Sequence, residues 1–203
     1  MSIAPFKDDK ELATFARKFF ANRVETFRKD IAICMRPKRR QHAYFPALII
    51  CIAFADLLSA LYAGKLWPHL NELKLYAKRF MKTEYTSDPR SLDFLYNVLR
   101  HKIAHLAYPY PVSKFQGRRV TWAIHSSKPR PAIKVGYYPM DNLPKKNTPW
   151  PVPYDCVIEV SIRGFAKDIV SSIYGRSGYL RHLRSNPVAQ ERFAKCMKDY
   201  FPQ

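Results

Sequence analysis

The chain has 203 residues, of which 47% are hydrophobic and 14% aromatic, which is enough for one sizeable core and excludes wholesale disorder. Its 35 Lys and Arg residues against 16 Asp and Glu give a formal net charge of +19, so the surface attracts polyanions. Nucleic acid is therefore the first partner to consider. A solvated basic surface or an acidic protein partner are the alternatives.

The cysteines and the N-terminus indicate where such a protein resides. Cys34, Cys51, Cys156 and Cys196 are far apart and include no C-x-x-C pair. This spacing predicts neither a zinc site nor a disulfide framework, and it is typical of reduced core thiols. Because the N-terminal MSIAPFKDDKELATF turns charged at once, it does not have the form of a signal peptide. We expect a cytoplasmic protein.

The first two elements are predicted to be long helices. Asp8, Asp9 and Glu11 favour a helix start, and apolar residues three or four apart continue the pattern to Met35. The next run, AYFPALIICIAFADLLSALYAG, is about as long as a membrane span but carries three polar side chains. We interpret it as a buried central helix over 45–63 that ends in a left-handed cap at Gly64, and we expect no membrane partner.

Two more helices are predicted before a change of character. The third helix is predicted from Pro68, in PHLNELKLYAKRFMK, where leucines and aromatic residues form a stripe. SDPRSLDFLYNVLRHKIAHLAYP has Ser87 or Asp88 as cap, Pro89 in its first turn and Pro109 at its end. A period of two then predicts two or three short strands in RRVTWAIH (118–125), PAIKVGYY (131–138) and YDCVIEVSI (154–162).

The C-terminal part returns to helix from Gly164, and its last helix has Asn186 as cap and Pro187 as first residue. The predicted fold class is therefore mainly α: a helical bundle of about five to six helices with a small strand and loop insertion at about 115–162. We expect a single domain over 1–203. It comprises a helical core (1–112), a basic strand and loop insertion (113–162) and C-terminal helices that pack back on the bundle (163–203).

The basic residues are concentrated in two places. RPKRRQH is a compact run, and residues 114–146 hold eight basic residues against one acid, Asp141. Within the second region, GRRVTWAIHSSKPR interleaves cations with aromatic rings, which could offer phosphate contacts and stacking for single-stranded RNA. The alternative is an edge strand whose Trp packs on the bundle. The candidate nucleic-acid contacts are Arg118, Arg119, Trp122, Lys128 and Arg130.

The segment LYNVLRHKIAHLAYP (95–109) carries the candidate chemistry. On a wheel of ~100° per residue, Leu92, Tyr96, Leu99, Ile103 and Leu106 fall within about 40° of one line and form the core face. Asn97, Arg100, His101 and His105 lie on the remaining face, with the small Ala104 among them. Arg grips phosphate in a planar fork and His exchanges protons near neutrality, and phosphodiester chemistry needs both.

These residues resemble the HEPN (higher eukaryotes and prokaryotes nucleotide-binding) superfamily. Arg100 to His105 matches its R-[polar]-x-x-x-H signature on a late helix of a bundle, and IICIAFADLLSALYAGK and LYNVLRHKIAH are also similar to HEPN-type bacterial proteins. The resemblance implies metal-independent RNA cleavage, without cofactor, to a 2′,3′-cyclic phosphate and a 5′-hydroxyl. His105 would be general base or acid, Arg100 would stabilise the phosphorane, and His101 and Asn97 would orient the substrate.

Helical geometry indicates a homodimer independently of the family. Arg100 and His105 are ~140° apart around a straight helix and ~7.5 Å apart along it, so they converge poorly on one phosphate. Two copies across a twofold axis could pair the Arg of one chain with the His of the other, and the HEPN resemblance implies the same arrangement. Asp56 is costly to bury unless it is paired. Arg100 or a local backbone or tyrosine group could be its partner.

Other interpretations remain beside this one. His101 and His105 have zinc-ligand spacing, but Lys102 stands where the glutamate of H-E-x-x-H is needed, so no metal is expected. Ala107 occupies the position where one HEPN subgroup has a modified tyrosine, which argues against that regulation. The first functional hypothesis is a HEPN-like ribonuclease of the toxin or phage-defence kind, with an antitoxin or other protein partner. The second is a catalytically silent HEPN-like module that binds RNA, nucleotide or protein.

Overall fold

The structure, a computed structural model, describes residues 6–36, 43–81, 85, 90–100, 112–126, 132–137 and 154–200. His101, His105, Lys128 and Arg130 lie outside the described residues, as do residues 37–42, 86–89 and 109. The described chain is mainly helical with a small four-stranded sheet, which confirms the predicted mainly α class.

The helices are α1 (Asp9–Cys34), α2 (Tyr44–Ala63), α3 (Leu70–Phe80), α4 (Arg90–Phe94, which continues as a π-helix over Leu95–Arg100), α5 (Ile162–Tyr174), α6 (Tyr179–Ser185) and α7 (Pro187–Tyr200). The strands are β1 (Ser113–Phe115), β2 (Arg118–His125), β3 (Ile133–Tyr137) and β4 (Cys156–Ser161).

Several helix ends have the residues that the sequence predicts. The Asp8 side chain accepts a hydrogen bond from the Glu11 N–H at 2.8 Å and caps α1. Gly64 ends α2 in the left-handed conformation, with φ of 72°. Asn186 Oδ1 accepts a bond from the Ala189 N–H at 2.9 Å and caps α7. Each cap satisfies backbone groups that the helix itself leaves unpaired.

The segment predicted to return to helix from Gly164 differs from the structure. Its helix starts earlier, at Ile162, and breaks into α5 and α6. Backbone packs closely at the break, because a Cβ at Gly175 would lie 2.5 Å from the Ser171 carbonyl oxygen and one at Gly178 2.5 Å from the Ile173 carbonyl oxygen. Only residues without a side chain fit there, so the sequence GRSG separates the two helices.

The sheet has four strands where two or three were expected, in the order β1-β2-β4-β3. β2 and β4 are parallel, and the two edge strands are antiparallel to their neighbours. The additional strand, β1, pairs with β2 through a two-residue turn in which Gln116 and Gly117 have φ of 50° and 74°. A turn with positive φ at both positions matches the twist of a hairpin.

One hydrophobic cluster contains residues of both the helices and the sheet. α2 packs against α1, α3, α5 and α7, and the buried side chains Val120, Ile158 and Val160 of the sheet belong to the same cluster. Among the described residues α2 is the one helix long and apolar enough to cross a membrane, and half of its most apolar window is buried inside the protein. A core helix produces the same pattern.

Buried hydroxyl groups tie these elements together. The hydroxyls of Tyr76 on α3 and Ser172 on α5 are 2.8 Å apart. Tyr179 at the start of α6 donates to the Leu61 carbonyl on α2 at 3.0 Å. Because burying an unpaired hydroxyl is costly, these bonds fix α3, α5 and α6 in specific positions around α2.

Candidate functional site

Arg100 forms an ion pair with Asp56. Its Nε donates to Asp56 Oδ2 at 2.9 Å, which joins the last residue of the π-helix to the middle of α2. The side chains are 31% and 16% exposed, so the pair is shielded but open to solvent on the arginine side. Of the two partners expected for Asp56, the structure therefore has Arg100.

An aromatic ring also holds the guanidinium. Arg100 Cζ lies 4.3 Å from the centroid of the Tyr96 ring, within cation–π range. Burial is the main cause that raises the pKa of the Tyr96 hydroxyl, and the positive charge of Arg100 opposes it. Nη1 and Nη2 donate to none of the described residues, so the fork remains available while Nε and the ring fix its position.

Asp56 is a carboxylate in an unfavourable environment. Its Oδ1 is buried and has no hydrogen-bond partner among the described residues. Burial raises the pKa of the Asp56 carboxyl, and the charge and hydrogen bond of Arg100 only partly offset this. Burying a carboxylate with one unpaired oxygen on an apolar helix costs stability, and we therefore expect Asp56 to have a role beyond holding the fold.

We expect Asp56→Asn to separate stability from function. Because the pKa of Asp56 is raised in the folded chain, the folded chain binds the carboxyl proton more tightly than the unfolded chain does. Ionisation of Asp56 therefore lowers the stability of the fold as pH rises from the ordinary carboxyl pKa through the raised pKa. At pH 7 the variant should therefore unfold at the same or a higher temperature, within about 1 kcal/mol. The RNA cleavage that the HEPN resemblance implies should fall by roughly tenfold in this variant, since Asp56 holds Arg100 in position.

The measurements are thermal unfolding from pH 3 to 8 and cleavage at pH 7. The stability difference between Asp56→Asn and the unmodified chain should shrink as pH falls toward the ordinary carboxyl value, because Asp56 is then protonated. Unchanged activity with an unchanged melting temperature would remove Asp56 from the site. A large loss of stability at pH 7 would make the pair a structural anchor.

The π-helix alters the face on which Arg100 lies. Its i→i+5 hydrogen bonds give more residues per turn than the α-helix assumed for the wheel. As a result burial is broader than the predicted stripe: Leu95 and Val98 are buried along with Tyr96 and Leu99. Single π turns inside helices occur frequently at functional sites. The sequence pattern did not reveal this one.

Among the described residues, Asn97 forms no hydrogen bond with Asp56 or Arg100. Its Nδ2 donates to the Asp93 carbonyl oxygen at 2.9 Å, one turn back on its own helix. Asp93 in turn forms an ion pair of 2.6 Å with Lys74 on α3. These contacts fasten α4 to α3, and the predicted orienting role of Asn97 stays a prediction.

The candidate nucleic-acid contacts on β2 are partly engaged within the fold. Arg119 Nη2 donates to Asp155 Oδ1 at 3.0 Å, and the Arg119 backbone N–H donates to Oδ2 at 2.6 Å. These bonds lower the pKa of the Asp155 carboxyl. Trp122 packs edge-on against Phe45 at the start of α2, with centroids 5.2 Å apart. Arg118 is exposed, and RNA binding by this strand stays a prediction.

Three cations that the sequence analysis did not single out, Arg28, Arg163 and Lys167, lie between α1 and α5 together with Arg36, the first residue of the basic run RPKRRQH. Arg163 and Lys167 are at i, i+4 on one face of α5, Arg28 lies on α1, and Arg36 lies two residues beyond the end of α1. The sequence contains these cations, but it does not show that two helices more than 100 residues apart pack against each other. No group of three or more potential metal ligands occurs among the described residues.

Comparison with known proteins gives no matching family, no curated relative and no similar solved structure. The function is therefore inferred from the geometry of the residues themselves.

Proposed function

We propose that the protein is a metal-independent endoribonuclease of the HEPN type, active as a homodimer on RNA. The observation that carries the proposal is the state of Arg100. Its guanidinium is held by Asp56 through Nε and by the Tyr96 ring, while Nη1 and Nη2 stay available for two phosphate oxygens. Arginine binds phosphate best through such a planar pair of donors.

The reaction follows from the residue types on this segment. His105, five residues after Arg100, would take the proton of the ribose 2′-hydroxyl or give one to the leaving 5′-oxygen. The 2′-oxygen attacks the adjacent phosphorus, and Arg100 neutralises charge that develops on the phosphorane oxygens. The products are a 2′,3′-cyclic phosphate and a 5′-hydroxyl. The net charge of +19 would concentrate RNA at the surface.

A second candidate is a catalytically silent module of the same HEPN-like kind that binds RNA, nucleotide or a partner protein. The favouring observation is that Arg119 and Trp122 are committed to Asp155 and Phe45, so the described part of β2 contributes more to packing than to a substrate path. RNA binding without cleavage would support this candidate.

The proposal is tested with mixed RNA in excess EDTA. We expect fragments whose 5′ ends a polynucleotide kinase labels directly, since they carry hydroxyls. Arg100→Lys should lower the rate about tenfold or more, because an ammonium keeps the charge but not the fork. Arg184→Lys, at an exposed position of α6, is the matched control and should match the unmodified protein. Absence of cleavage, or cleavage that Arg100→Lys leaves intact, would contradict the proposal.

A further inference from the structure

A groove runs between α1 and α5, and none of its lining residues belongs to the Asp56–Arg100 site. At one end it forms a cavity of about 710 Å³, and a second cavity of about 700 Å³ continues it. The two share Arg28, Val170 and Ser171, so they are parts of one groove. Its length along α1 from Ala21 to Ala32 is about 17 Å at ~1.5 Å per residue, or three helical turns.

The first cavity is strongly cationic. Arg28, Arg36, Arg163 and Lys167 line it, and no acidic residue does. None of the four forms an ion pair within the described chain. Unpaired cations around one concave surface repel each other, and an anionic occupant would relieve that repulsion.

The floor of the same cavity is apolar. Phe27, Ile31, Met35 and Ala166 line it, and the exposed Ala32 leaves room at its edge. A phosphate ion alone would gain nothing from contact with this apolar floor. A groove between two helices with an apolar floor and charged rims is the surface that an amphipathic helix occupies, with its apolar stripe inward.

We propose that this groove docks an acidic amphipathic helix of a partner protein. The occupant is a partner protein rather than a second copy, because the proposed dimer contact lies at Arg100 and none of the groove's lining residues belongs to that site. RNA fits less well, because single-strand binding surfaces offer successive stacking rings. Along the described lining of the groove, Tyr174 is the one exposed aromatic residue. The proposal does not rest on RNA cleavage and goes beyond it.

The probe is a fluorescein-labelled 14-residue peptide with Leu at i, i+3, i+4, i+7 and i+11 and Glu at most other positions. Binding is followed by anisotropy at 0.15 M salt, where distant surface charges are screened. A scrambled peptide of the same composition lacks the apolar stripe, and a 12-nucleotide oligouridine represents RNA.

Arg163→Glu/Lys167→Glu removes the charge complementarity. Ala32→Trp fills the groove without changing its charge. Lys195→Glu/Lys198→Glu, exposed on α7, is the charge-matched control.

We expect the amphipathic peptide to bind at least tenfold more tightly than the scrambled one. Both groove variants should weaken it tenfold or more, and the α7 control less than threefold. Thermal unfolding shows which variants are folded, and the steric and charge variants provide independent tests. Equal binding of both peptides, no binding, or tighter oligouridine binding that the same variants abolish would overturn the proposal. The last result would identify the groove as an RNA path.

Discussion

Arg100→Ala and His105→Ala should each lower RNA cleavage by about 10²- to 10³-fold, and an equal mixture of the two inactive variants should recover activity. Arg100→Ala removes the group that neutralises phosphorane charge, and His105→Ala removes the proton carrier. The Arg100→Ala chain should still fold, because the Arg100 side chain is 31% exposed. The measurement is initial rate in EDTA with each variant alone and after mixing.

Recovery follows from the proposed dimer. If each site takes Arg100 from one chain and His105 from the other, a mixed dimer has one intact site and one that lacks both groups. Random exchange makes half of all dimers mixed, so activity should return to roughly a quarter of the unmodified value. Light scattering at micromolar concentration should show a dimer for every variant, which separates loss of the site from loss of assembly.

Other outcomes are equally informative. Full loss in both variants without recovery would place Arg100 and His105 in the same chain's site. A strictly monomeric protein that retains cleavage would refute the composite cleft. The charge-matched Arg184→Ala on α6 should leave the rate unchanged, since that exposed residue forms no described contact with the site.

The sequence predicts helices well where local chemistry is decisive. The structure confirms three predicted helix ends, at Asp8, Gly64 and Asn186, and each depends only on contacts between neighbouring residues. β1 was missed because three residues are too few for a period of two to show. The break between α5 and α6 could have been found, since two glycines three apart are a strong local signal against a continuous helix.

Some features of the site could likewise be predicted from the sequence, and others could not. That Asp56 needs a partner follows from the cost of burying a carboxylate, and Arg100 was one of the partners that the sequence offered, beside a local backbone or tyrosine group. Tyr96 was assigned to the core and is buried there, but the helical wheel did not show that its ring also contacts the Arg100 guanidinium. The groove cations depend on how α1 meets α5, which is tertiary packing that no local pattern contains.

Phe193→Ala should destabilise the protein by about 3–5 kcal/mol, the usual cost of truncating a fully buried aromatic side chain. Phe193 on α7 has no exposed surface and contacts three rings of α1, with centroid distances of 6.2 Å to Phe20 and 6.4 Å to Phe15 and Phe19. The chain's first and last helices thus share one aromatic cluster. Removing its common member leaves a cavity beside both, since neighbouring side chains relax only in part.

Urea unfolding measures the effect, and the shape of the transition tests the expected single domain. Val188→Ala, at a 54% exposed position of the same helix, is the control and should change the free energy of unfolding by less than about 0.5 kcal/mol. We expect one cooperative transition that moves to lower urea in Phe193→Ala, because α1 and α7 unfold together. Two separate transitions, or a loss below about 1 kcal/mol, would mean that α7 is a dispensable appendage. RNA cleavage well below the melting temperature should be unaffected, because the cluster contains neither Asp56 nor Arg100.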